Sequence, residues 1–445
     1  MSFLMPFIKR LRPAYFILFA GFISYVLTIS VYSFLFRHTP TRNIFDLQFL
    51  YGPLVKNIVT LNIYASPGMQ FTGHRLPFIP YFLSAIAIIH NDIIFAYVVK
   101  NLIFYSVTFI AMRFWWVQET GISKQLKLVV VAFVAFFPPL VFWGTSPDAD
   151  EGYIIHFMAT LSIGLFFFER MGLRRKWIMI VLLGFLNALL YLTKSSMLLP
   201  SAAICFLFWL KSAKLKVFSV FVVIFLSSLI FWGLMNLRHS GTFAITTSLD
   251  GWNLYKGNNE LTLSLYPPYN LDILDMEKLL PFKRPSGMNE WEFNDAARNK
   301  AVEFAMNNPM DELRLIGRRL FIFFFEVRRN PLYRGETQFE SPVYWVSTIW
   351  MTVFRLILFG SLFGGVKCLS RHIRGSTPQL SRHAKNTIIY FLILASYAVP
   401  CIIGFAYERH LMPLVIPTVI YFFSTAYPEL CSSPAQVDRR SDHSV

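Results

Sequence analysis

Charge is what this sequence has least of. Of its 445 residues only 15% are Asp, Glu, Lys or Arg, where a soluble domain carries about a quarter. That shortage excludes a disordered chain or a charge-laced coiled coil, and no glycine period suggests collagen. Cysteine is scarce as well. Cys205, Cys368, Cys401 and Cys431 show neither paired nor metal-ligand spacing, which argues against a disulfide framework and a zinc site. There is no Walker A sequence, no GxGxxG, no HExxH and no internal repeat, which argues against an ATP-driven pump with its own nucleotide site.

What is present is apolar. Hydrophobic residues make up 55% of the chain, with 47 Phe, 20 Tyr and 10 Trp, and the mean hydropathy is +0.50. Apolar runs near the bilayer-spanning length of ~20 residues recur from end to end. The composition predicts an all-α polytopic membrane protein. The net charge of +16, from 41 Lys+Arg against 25 Asp+Glu, then reads as basic residues held in short cytoplasmic loops rather than as a nucleic-acid surface.

Charge asymmetry orders the spans. A first span near 14–36 lacks a small-residue cleavage site and reads as a signal anchor, with Lys9, Arg10 and Arg12 on the cytoplasmic side. Of the two runs that follow, 76–89 is short and carries Pro77 and Pro80, so it is expected to lie on the outer surface while 93–112 crosses. Further spans are expected near 128–145, 153–168, 177–193, 197–210, 217–235, 343–365, 386–406 and 411–427. This gives about ten spans with both termini cytoplasmic. The Ser146–Gly152 loop, the Lys194 turn and Glu408–His410 fall outside; the basic loop 367–385 falls inside. The polar segment 237–341 reads as a small extracytoplasmic domain whose end, Leu313–Arg329, forms a second surface helix. Three parts result: 1–236 with an outer loop at 37–92, then 237–341, then 342–445.

Ionisable groups at a bilayer are functional candidates by default. Here they gather on the outer face. Asp46 is a lone carboxylate among aromatics, and Asp148, Asp150 and Glu151 open the next outer loop. Lys194, Arg238, Arg409 and His410 cap outer span ends. Taken singly, each cation also fits an interfacial side chain reaching for water, and each acid a loop or helix-start residue. Together they pair a potential general base with cations able to stabilise a departing phosphate.

The order of motifs resembles the GT-C superfamily of membrane glycosyltransferases, in the branch of protein mannosyltransferases and lipid A aminoarabinose transferases. Asp46-Leu-Gln-Phe-Leu-Tyr51 resembles the family's first outer loop, although many relatives have a second acid where Leu47 stands. His74-Arg-Leu-Pro-Phe-Ile-Pro80 resembles its surface helix, Ser146-Pro-Asp-Ala-Asp-Glu151 its second acidic loop, and Tyr191-Leu-Thr-Lys194 a Leu-x-Lys turn. Gly251-Trp-Asn-Leu-Tyr-Lys-Gly-Asn258 resembles a Gly-x-Asn-Leu-x-x-Gly-Asn segment. Asn308-Pro309 with its aromatic helix, and Glu408-Arg-His-Leu-Met-Pro413, complete the likeness.

The resemblance implies inverting transfer of a sugar from a polyprenyl phosphate to a glycan, lipid or protein acceptor on the extracytoplasmic face, and the lack of an evident organelle retention signal in a compact chain points to a bacterial inner membrane. It implies Asp46 as base, and acceptor or sugar contacts at Tyr51, His74, Arg75, Asp148, Asp150 and Glu151. Donor-phosphate contacts fall to Lys194, Arg238, Tyr255, Lys256, Arg409 and His410. No cofactor is obligatory; Asp148, Asp150 and Glu151 leave room for Mg or Mn. A lipid-linked glycan polymerase or ligase, leaning on Arg and His, and a lipid-glycan flippase are the alternatives.

Overall fold

The computed structural model describes residues 51–65, 72–90, 93–145, 150–170, 173–212, 215–265, 280–325, 342–374, 381–404 and 406–431, with a few positions between 19 and 27. All regular structure among them is helical. In chain order the helices are α1 Gly52–Leu61, α2 Phe78–Ile89, α3 Ile93–Gln118, α4 Lys124–Phe136, α5 Pro138–Thr145, α6 Glu151–Phe167, α7 Leu173–Thr193, α8 Leu198–Ser212 and α9 Leu215–Ser240. They continue as α10 Asp250–Gly257, α11 Glu260–Leu265, α12 Glu290–Asn307, α13 Pro309–Phe325, α14 Pro342–Arg374 and α15 Arg382–Ile403. A 3-10 stretch, Glu408–Leu414, then leads into α16 Val415–Tyr421, a short π segment, and α17 Tyr427–Cys431.

Among the described residues six segments are long and apolar enough to cross a membrane: Val98–Gln118, Glu151–Arg170, Lys176–Thr193, Phe218–Ser240, Thr348–Arg374 and Arg382–Ile403. Several present apolar stripes outward. On α9, Val223, Leu226, Ile230, Leu234 and Leu237 are exposed at helical spacing, which suits lipid rather than water. These features make the chain a multi-pass helical membrane protein.

The other expected spans take different forms. Pro138 divides the 128–145 run, because proline supplies no N–H and crowds the preceding turn, so α4 ends at Phe136 and α5 starts anew. The expected span 411–427 mixes 3-10, α and π turns, with Pro413 inside the first of them. α8, at 15 residues, reaches only ~22 Å. α14 runs the other way: its 33 residues extend ~50 Å, so the expected loop 367–385 is helical as far as Arg374. α13 starts at Pro309, four residues before the expected Leu313, because Asn308 ends α12 and proline suits a first helical position. The expected first span lies almost wholly outside the described residues.

α6 is the hub of the bundle. Sixteen of its 17 residues are buried, and it packs against α3, α7, the 3-10 stretch and α16. Its first residue is Glu151, so the carboxylate at its head starts out enclosed.

A small outer unit of α10, α11 and α12 has its own core of Tyr255, Leu280, Ala297 and Ala301. Three side chains from the bundle fasten the non-helical stretch leading into it. Asn236 donates to the Ala244 carbonyl, Tyr191 to that of Ile245 and Trp232 to that of Thr246.

Two glycines close the joint. A Cβ on Gly251 would stand 2.0 Å from the Asn294 carbonyl oxygen, and one on Gly257 2.1 Å from that of Gly404. Asn258 donates to the Ile403 carbonyl while its own oxygen accepts from Arg319, which is fully buried and also bonds the Gly257 carbonyl. The Gly-x-Asn-Leu-x-x-Gly-Asn pattern is thus a packing device that clamps α10 to α12, α13 and the end of α15.

Candidate functional site

The first residues of α6 collect partners from four separate stretches of chain. Glu151 is 2% exposed. Lys194 Nζ lies 2.9 Å from its Oε1 and His410 Nε2 3.5 Å from the same oxygen, while Arg409 Nε lies 3.8 Å from Oε2. Asp150 accepts a 2.6 Å hydrogen bond from the Tyr51 hydroxyl. Lys194 stands 3.6 Å and Arg75 4.0 Å from its other oxygen. Three permanent cations and a histidine therefore meet two carboxylates.

Each partner is held by local chemistry. Lys194 follows the last residue of α7 in extended backbone, which ends the helix and turns the side chain toward α6. The neighbouring Ser195 hydroxyl donates to Asp250 Oδ1 at 2.5 Å, and Asp250 also accepts from the Thr247 N–H and hydroxyl. Burial opposes the ammonium form of Lys194, yet Glu151 and Asp150 outweigh it and raise its pKa. Burial also raises the pKa of Asp250, against the pull of its Ser195 and Thr247 hydrogen bonds.

Arg409 lies between two aromatic faces, with its Cζ 5.9 Å from the Trp143 ring centre and 5.6 Å from that of Tyr407. Cation–π attraction of this kind holds a guanidinium without using its N–H groups. The Tyr407 N–H donates to His410 Nδ1 at 3.2 Å. That bond fixes the neutral tautomer with its proton on Nε2, aimed at Glu151.

Of the expected site residues, Tyr51, Arg75, Asp150, Glu151, Lys194, Arg409 and His410 come together. The others are placed differently. His74 Nε2 is 3.1 Å from Glu290, which also accepts from the Gly73 N–H, so His74 belongs to a clasp between the 72–75 turn and α12. Tyr255 lies in the outer unit's core, where its hydroxyl accepts from the Phe282 N–H. Lys256 is buried beside it in α10. Arg238 is exposed on the last turn of α9, with no hydrogen bond or ion pair to the acids. Asp46 and Asp148 lie outside the described residues.

Trp143, Tyr407, Ser195 and Asp250 support the site and were not expected there. Only Asp250 left a sequence signal, the Thr247-Ser-Leu-Asp250 pattern of a helix-start box.

Among the described residues no three His, Cys, Asp or Glu side chains stand close enough to hold a metal. The oxygens of Asp150 and Glu151 already face Lys194, Arg75 and Arg409. A divalent ion there would be repelled by those cations, so the described part of the set does not fit Mg or Mn. No protein-family model, curated protein or solved structure matches the chain.

Proposed function

We propose that the protein is an inverting glycosyltransferase that takes a sugar from a polyprenyl-phosphate donor on the extracytoplasmic face of the membrane, in the manner of the GT-C superfamily. One observation carries this reading: the excess of cations over carboxylates at the head of α6. A membrane-embedded site with surplus positive charge and buried acids to orient it suits a lipid-linked phosphate.

In the reaction, an acceptor hydroxyl attacks the anomeric carbon while the bond from that carbon to the phosphate oxygen breaks. The electron pair leaves with the phosphate, where Lys194 and Arg409 offset the growing charge. The acceptor proton passes to a carboxylate, assigned to Asp46. Covalent geometry permits the assignment. Asp46 is five residues from Tyr51, at most ~18 Å along an extended chain, and Asp148 is at most ~7 Å from Asp150. Tyr51 and Arg75 hold Asp150 in place beside the acceptor. The active site is then extracytoplasmic, both termini are cytoplasmic, and the unit at 237–341 covers the donor from outside.

A glycan polymerase or ligase is the second reading, favoured by the convergence of Arg75, Arg409 and His410 on the acids. Transfer of radiolabelled sugar from a panel of polyprenyl-phosphate monosaccharides and from a lipid-linked oligosaccharide, by wild type and Asp46→Asn in matched amounts, separates the two. Label incorporated by wild type and lost in the variant supports the monosaccharide transferase. Equal incorporation removes Asp46 as base. Incorporation only from a lipid-linked oligosaccharide makes the protein a polymerase or ligase.

A further inference from the structure

The opposite end of α6 carries a second charged cluster that the proposed reaction does not use. Lys211, on the last turn of α8, is 93% buried, being 7% exposed. Its ammonium donates to the Phe166 carbonyl at 3.3 Å and to Asn386 Oδ1 at 3.0 Å, and forms no ion pair with any described carboxylate. Glu169, Arg382, Lys385 and Arg170 lie within its electrostatic reach. The Arg170 and Arg382 guanidiniums both approach the Phe167 ring, at 5.1 Å and 5.7 Å. Arg170 Nη1 is buried without a hydrogen-bond partner.

Two acids temper this cluster. Glu169 pairs with Lys385 at 3.4 Å, and Glu119 accepts from the Gly121 N–H. Lys127, whose ammonium donates to the Glu119 carbonyl, is a fifth cation, so five cations against two carboxylates leave a net excess of three positive charges among half-buried and buried groups. Basic residues that serve only to orient spans would stay in water. Here one is enclosed without an anion, and another presents a buried N–H with no acceptor. Such a group is costly unless something supplies the missing charge.

The outward face of α8, turned away from the buried side that carries Lys211, says what that partner is. On the same helix end, Phe206, Trp209 and Leu210 are each about half exposed. An apolar wall beside buried cations at a span end matches an acyl chain beside its headgroup. We propose that this cluster is a binding site for an anionic phospholipid, with Lys211, Arg170 and Arg382 on the phosphate and the α8 face along the acyl chains.

The test uses the purified full-length chain in mild detergent, with phosphatidylglycerol, phosphatidylcholine and inorganic phosphate as probes. Binding is read as the shift in thermal midpoint on titration and as retained lipid by native mass spectrometry. Wild type is expected to bind phosphatidylglycerol well above phosphatidylcholine and to ignore inorganic phosphate at equal concentration. Removing a charge near the headgroup weakens binding about fivefold for Arg382→Gln and about 25-fold for the Arg170→Gln/Arg382→Gln pair. Lys300→Gln, on an exposed cation already paired with Glu303, serves as the control. The single Arg382→Gln variant keeps the test available if the double variant does not fold. Equal affinity of wild type and Arg382→Gln for phosphatidylglycerol, or equal binding of phosphatidylcholine, overturns the proposal. A midpoint shift reproduced by inorganic phosphate alone overturns the lipid as source. Absence of sugar transfer by wild type that binds phosphatidylglycerol would count against the proposed reaction and leave this site standing.

Discussion

The two ends of α6 solve the same electrostatic problem in different ways. At the head, Glu151 is buried but sits 2.9 Å from Lys194, with Arg409 and His410 close behind. At the tail, Lys211 is buried against a carbonyl and an amide, and its nearest charged neighbours are mostly other cations. Breaking a buried pair strands a charge, whereas deleting a charge with no partner relieves one. Like substitutions should therefore act in opposite directions at the two ends.

The largest expected effect exploits that contrast. Lys194→Met should lower stability by about 3 kcal/mol, because Glu151 and Asp150 lose their nearest cation. Lys211→Met in lipid-free detergent should leave stability unchanged or raise it by about 1 kcal/mol. Thermal unfolding of the two variants beside wild type checks this, and midpoints that fall together would erase the distinction.

Next in size is Gly257→Ala. Its Cβ would sit 2.1 Å from a backbone oxygen that no rotamer change can move, so a loss of about 2 kcal/mol is expected. Hydrogen exchange should quicken in α10 and around Gly404 while residues near Phe166 keep their protection. Equal quickening at both ends of α6 would show that the outer unit does not brace one end selectively.

A smaller effect appears in alkali. The folded-state pKa of Lys194 is raised, because its acidic neighbours outweigh burial. Its contribution is whole below the unfolded value of about 10.4 and is lost as pH rises through the higher folded value. Unfolding midpoints of wild type should thus approach those of Lys194→Met above about pH 10.4.

The smallest concerns His74, whose pKa is lowered by burial and by Arg75 and Arg284, against the pull of Glu290. Its contribution is present above the unfolded value of about 6.5 and is lost as pH falls through the depressed folded value. His74→Gln should flatten that acid limb, and an unchanged limb would place the loss elsewhere.

Periodicity and charge were enough to find the helical membrane class, the break before 93, and the placing of the acids at 150–151 on one face with Lys194, Arg409 and His410, whereas Arg75 entered only through the family resemblance. Those residues were legible because ionisable groups are costly beside apolar runs. The failures have physical reasons as well. Span counting assumes uniform α-helix, and Pro138, Pro413 and the π turn after Tyr421 break that assumption. Tyr255 and His74 read as ligand contacts because a motif does not say which way a side chain faces; one entered a local core and the other paired with Glu290, some 200 residues away in sequence. The tail cluster looked like ordinary loop charge, because burial of Lys211 depends on Asn386, a partner supplied by a distant helix.

The central claim is that the cations at the head of α6 serve sugar transfer. Its most direct test compares single-turnover transfer from a polyprenyl-phosphate sugar by wild type, Lys194→Met, Lys194→Arg and Lys300→Met, each at matched folded amounts. A loss of about 100-fold or more in Lys194→Met, partial recovery in Lys194→Arg and a wild-type rate in Lys300→Met is the predicted result. Transfer by Lys194→Met at the wild-type rate would contradict it.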